Sequence, residues 1–145
     1  MRLDAHPRGW AACWFGLWGM LVASALYLAP SVSRGPISVL LYVLLPALAA
    51  AAAGSFSGAR ILSARTASGS MSISLGILVA VEAYALFGPL FAAGYVLTDP
   101  QGVSSPIGLV FGVLTVGFVA TAPLSLPAGA LAGWTLFLVG RRRSD

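Results

Sequence analysis

The chain has 145 residues, 59% of them apolar and 8% charged, and its eight basic and four acidic side chains leave a net charge of +4. A mean hydropathy of +0.93 excludes a water-soluble domain, because so few polar groups would leave large apolar patches in water. The apolar runs are continuous, which excludes the alternating segments of about 10 residues that a membrane β-barrel needs. What remains is an all-α integral membrane protein, and its 17 glycines and nine prolines agree with that class, since both are frequent in transmembrane helices.

Every basic residue is an arginine, which together with the excess of Ala and Gly fits a GC-rich bacterial genome. The expected location is therefore a bacterial inner membrane. The arginines flank the apolar segments, so the positive charge points to the bilayer and not to nucleic acid.

Residues 1–9 form a polar lead with Arg2, Asp4, His6 and Arg8. A first span is predicted over residues 10–29, free of charge and closed by Pro30. Trp10, Trp14 and Trp18 share one face of it, placed for contact with lipid, a partner helix or a stacked ligand. Ala23-Ser24-Ala25 has the small-residue spacing of a signal-peptide cleavage site, but the apolar run continues to Ala29, so the segment reads as a retained span. Cys13, the sole cysteine, lies inside it and reads as an ordinary small apolar residue.

A short link containing Arg34 implies an antiparallel hairpin with a second span over residues 37–54. Pro46 inside that span should kink it and free the carbonyl of Tyr42. The alanines after Pro46, and the pair Gly54 and Gly58, suit close approach of another helix. A second loop over about residues 57–72 carries Arg60 and Arg65, and its first half can continue as helix.

The third span, residues 73–97, is the only one with an ionisable acid or base well inside it, Glu82. A charge at mid-helix costs about 2.5–3.5 kcal/mol on the insertion scale, which the surrounding Leu, Ile, Val and Phe offset. Gly76, Ala80, Tyr84 and Gly88 form a small-residue face roughly opposite Glu82, while Leu75, Leu78, Leu86 and Pro89 share its side.

After a loop with Asp99 and Pro106, residues 107–139 run without charge. Continuous helix of that length would reach about 50 Å against a bilayer core of about 30 Å, so a break is predicted at Thr121–Pro127, where Pro123 and Pro127 each remove a donor. Gly108/Gly112 and Gly129/Gly133 add two further small-residue pairs, and residues 140–145 form a basic tail with Arg141, Arg142 and Arg143. One crossing by the last stretch places Arg2, Arg8, Arg60, Arg65 and the three tail arginines on one side, leaving Arg34 and Asp99 on the other. The positive-inside bias then predicts a single domain of four transmembrane helices, the last one Pro-broken, with both termini cytoplasmic.

The inventory is poor in catalytic chemistry. The only histidine, His6, lies in the polar lead, the spans contain no Lys or Asp, and no metal set or phosphate loop is visible. Neither an enzyme, a cofactor nor a metal is expected. Glu82 instead reads as a proton or cation site in a small-solute transporter or ion pathway, or else as polar glue between helices. By register, an antiparallel last helix reaches the level of Glu82 near Thr121, which makes Thr121, Ser125 and Tyr84 the candidate neighbours of the site. The competing expectation is a non-catalytic accessory or assembly subunit. It would bind a larger membrane protein through the pairs Gly54/Gly58, Gly108/Gly112 and Gly129/Gly133, whereas a homo-oligomer would instead bring the Glu82 side chains of two copies together.

Overall fold

In a computed structural model, which describes residues 6–28, 36–63, 68–98 and 105–141, the protein is almost entirely helical. Four of its helices are long and apolar enough to cross a membrane. Helix α1 is Pro7–Tyr27, opened by Pro7 at a position where its missing N–H costs nothing. Helix α2 occupies residues 36–63 as one rod of alternating α and π turns, α3 is Gly69–Thr98, and α4 is Pro106–Arg141. The start of α4 is fixed by Ser105, whose hydroxyl accepts from the N–H of Gly108 at 3.1 Å with Pro106 as the first helical residue. Arg2, Arg34, Arg65, Asp99, Arg142 and Arg143, on which much of the expected charge asymmetry rests, lie outside the described residues.

Pro46, Pro123 and Pro127 all lie within helix. Just before Pro46 the chain adopts a π turn, Leu40–Leu44, in which the N–H of Leu45 reaches back five residues to the carbonyl of Leu40. Pro46, which lacks an N–H, thus follows directly on a widened turn. In α4 the expected break at Thr121–Pro127 is absent: Phe118–Arg141 is unbroken α-helix with Pro123 and Pro127 inside it, and the irregular turn is a π segment at Val113–Gly117. The two prolines are one turn apart, both are exposed, and each removes a single N–H, so the gaps stack on one outer face and the inner face keeps its bonds.

Helices α1 and α2 pack together, α2 packs on α3, α3 on α4, and α4 returns to α1. Every consecutive pair is antiparallel, as the contact registers show: Phe15 with Gly54 and Gly58 but Gly19 with Ala50; Glu82 with Ser57 but Gly94 with Leu41; Gly76 with Gly129 but Gly88 with Leu114. The core cluster, which includes Ala11, Phe15, Ala53, Ile61 and Leu136, lies toward the end where α1 begins and α4 finishes.

Small residues make that end tight. A Cβ on Gly129 would lie 2.7 Å from the Gly76 carbonyl oxygen, one on Gly133 would lie 2.9 Å from the Gly76 Cα, and one on Gly76 would overlap the Gly129 carbonyl. The backbones of α3 and α4 therefore touch directly, which only glycine allows. On the other side of the bundle Gly54 and Gly58 form a notch for Phe15, and a Cβ on either would come within 2.7 Å of that side chain. Across the remaining seam the Trp14 indole N–H donates to the Ala132 carbonyl at 3.1 Å.

Candidate functional site

Glu82 and Tyr84 are two residues apart on α3 and so point about 200° apart around it. This divides the four expected site residues into two places. Tyr84, Thr121 and Ser125 meet at the α3–α4 face, whereas Glu82 turns to α2.

At the α2 side, the Ser57 hydroxyl donates to Glu82 Oε1 at 2.7 Å. Ser57 is only 5% exposed and belongs to a π turn, Gly54–Gly58, in which the Ala59 N–H reaches the Gly54 carbonyl. A π turn inserts one residue into the helical repeat and rotates the later residues about the axis. Here it presents Ser57 to α3 while Gly54 and Gly58 face Phe15 of α1. The link pins α2 to α3 through a polar bond in an otherwise apolar interface.

At the α4 side, Thr121 lies at the expected level. Its hydroxyl donates to the Gly117 carbonyl at 2.9 Å, and the Tyr84 hydroxyl lies against both Thr121 Oγ1 and that same carbonyl, the latter at 3.1 Å. Gly117 closes the π turn of α4, so an irregular backbone turn, a threonine and a tyrosine form one closed triangle. The Tyr84 ring is held edge-on by Phe118 at a centroid distance of 5.2 Å and by Phe87 at 6.2 Å.

Beside the triangle the four helices border a partly open cavity of about 450 Å³, to which each contributes. Its α4 wall is made of small residues, among them Ala120, Ala128 and Gly129, with Thr121 and Ser125 as the polar members; aromatic rings from the other helices, including Trp18, Tyr42 and Phe87, face it. The lining carries no Asp, Glu, Lys, Arg or His, and Glu82 is not part of it. Ser125 Oγ is buried there and has no hydrogen-bond partner. Among the described residues no three His, Cys, Asp or Glu side chains gather as a metal site.

The expected packing glycines also divide. Gly54/Gly58 and Gly129/Gly133 are consumed inside the bundle, while a Cβ on Gly112 would meet nothing within 4 Å and one on Gly108 only its own N-cap Ser105. Two participants escaped the sequence reading. Ser57 is one serine among many and carries no signal of its own. The rings of Tyr84, Phe87, Phe91 and Tyr95, by contrast, follow helical spacing and were legible as a ladder on α3; in the fold they touch in series, edge-on, tilted and then stacked, with Tyr42 of α2 against Phe91 at 5.4 Å. Compared with known proteins, the chain matches no family model, no curated protein and no solved structure.

Proposed function

We propose that this chain is a multi-pass protein of a bacterial inner membrane, with both termini cytoplasmic, that carries a small solute through the cavity within its four-helix bundle. The observation behind this reading is the cavity itself. Its volume of about 450 Å³ falls in the range of small-molecule sites, about 300–1,000 Å³, and it sits where a tightly packed bundle would have side chains.

In this reading Glu82 acts on the gate and not on the solute. Helix α2 supplies Tyr42, Pro46 and Ala50 to the cavity wall, and the Ser57–Glu82 bond holds that helix to α3. A carboxylate accepts the Ser57 hydrogen bond more strongly than a neutral carboxyl does, so the charge state of Glu82 sets how firmly α2 is held to α3. No enzymatic step belongs to the proposal. Its test uses proteoliposomes with an entrapped pH dye: the chain should dissipate an imposed pH gradient, and Glu82→Gln, which keeps an acceptor for Ser57 but carries no charge, should slow this about tenfold or more. Equal rates for the two proteins would remove the coupling role.

A second reading, an accessory subunit docked on a larger membrane protein, draws on the first half of α4. Ile107 is 71% and Phe111 63% exposed, and the Gly108/Gly112 pair packs on no other helix. Affinity capture from native membranes under this reading should return one stoichiometric partner, and Gly112→Leu should abolish its capture.

A further inference from the structure

We infer that the cavity is a slot for one alkyl chain of an amphiphile, whose polar head sits at Tyr27 and Tyr42 and whose tail runs down to Phe15. The inference rests on the carrier reading above and narrows its solute to that class.

Shape carries the first half. The lining follows one face of α1 from Phe15 to Tyr27, and on α4 it runs from Ala132 to Ala120. Twelve steps of about 1.5 Å make the slot about 18 Å long, so its volume of about 450 Å³ leaves a mean section of about 25 Å², near that of one extended alkyl chain. The lower end is closed. There Phe15 fills the Gly54/Gly58 notch, α3 and α4 meet at Gly76 and Gly129, and Trp14 is bonded to Ala132 across the α1–α4 seam.

Polarity carries the second half. Six side chains with a polar atom line the slot: Trp18, Tyr27, Tyr42, Tyr84, Thr121 and Ser125. Along its length the protons of Tyr84 and Thr121 are spent inside the wall, and the Ser125 hydroxyl is sealed within it. Trp18 offers a donor alone, on a ring that also borders an outer groove with Leu17, Leu21 and Leu138. Tyr27 and Tyr42 differ. Neither hydroxyl has a hydrogen-bond partner among the described residues, neither residue is buried, and each hydroxyl can both donate and accept. Gly19 packs on Ala50, so antiparallel register sets Tyr27, eight residues on, level with Tyr42, eight residues back. Tyr27 is the last residue of α1, at the depth where a span meets the headgroups. Hydroxyls that bind a head thus stand above walls that suit a tail.

Bromine quenches indole fluorescence on contact, and Trp18 lies nine residues, about 14 Å, below Tyr27. The full-length chain in nanodiscs is titrated with 12-bromododecanoic acid and with 6-bromohexanoic acid, and the difference from Trp18→Phe isolates the signal of Trp18. Ala128→Leu fills the slot at the level of Trp18, a level set by the Trp14–Ala132 bond, and so separates quenching in the slot from quenching in the outer groove. The expected result is saturable quenching by the long acid alone, abolished by Ala128→Leu. Combining Tyr27→Phe with Tyr42→Phe should weaken it about fivefold, as loss of one neutral hydrogen bond requires. Nanodiscs of a phospholipid brominated at its chain ends give the source: quenching there that Ala128→Leu relieves assigns the slot to a tail of the bilayer lipid, and its absence assigns it to a free amphiphile. Saturation that the short acid matches, or that ignores the tyrosine variant, overturns the chain class and leaves the cavity as a binding site. No Ala128-dependent quenching by either acid or by the phospholipid overturns the carrier reading as well.

Discussion

The end of the bundle where α1 begins and α4 finishes is held backbone against backbone, whereas the half where α2 and α4 begin is held side chain against side chain around an open space. At the first end Gly76, Gly129 and Gly133 bring α3 and α4 into direct contact, and Phe15 fills the notch of Gly54 and Gly58. Beyond these contacts, with Gly129 and Phe15 on its near edge, a cavity of about 450 Å³ opens among alanines and rings, and the first 14 residues of α4, ending at Val119, contain no buried residue. The same small residues therefore produce opposite results. Glycine lets two helices collapse together, and alanine facing rings keeps them apart. Cooperative opening is cheapest where few apolar contacts must be broken, so movement belongs to the cavity half and anchorage to the glycine half.

Adding bulk to both halves puts that contrast at risk. Gly76→Leu must push α3 off α4, and overpacking of a backbone contact should cost at least about 3 kcal/mol, read as a large fall in the thermal unfolding midpoint in detergent. A midpoint unchanged by this substitution would mean that the two helices do not meet there. Next in size is the seam that joins the halves. Ser57→Ala and Glu82→Ala combined in a double-mutant cycle should show a coupling of about 1 kcal/mol, in the range of interhelical hydrogen bonds in membranes. Additive effects would dismiss the bond as a clasp.

Ala128→Leu places similar bulk in the cavity wall and should alter stability by no more than about 0.5 kcal/mol. A loss of stability as large as that of Gly76→Leu would show the cavity half to be as tightly packed as the other. The smallest effect is expected at Gly112, which has open space around it. Gly112→Leu should leave the unfolding midpoint of the isolated chain unchanged, and a substantial drop would reveal packing on the first half of α4 that the bundle lacks.

Several elements were legible in the residues alone. The small face of α3, Gly76, Ala80, Tyr84 and Gly88, was readable from helical spacing, and all four positions meet α4. The level of Thr121 beside the middle of α3 followed from antiparallel register and is where Tyr84 finds it. The two-sided character of α3, with Glu82 away from that face, was equally visible. The neighbour that Glu82 would meet was not: Tyr84, Thr121 and Ser125, expected beside it, lie on the α4 side of α3, and Glu82 meets Ser57 of α2 instead.

Apolar run length and charge by themselves determined four helices, their approximate limits and the internal faces of each, because hydropathy and the 3.6-residue period are properties of a single segment. Only the tertiary structure decided which face meets which helix, which glycine pairs close a seam and which stay bare, and that Glu82 ends on Ser57 outside the cavity. The reason lies in the three π turns: each shifts the helical register by one residue, rotating every later side chain about its axis. Whether a turn widens depends on the neighbours that will accept the rotated faces, and those neighbours exist only after the helices have packed.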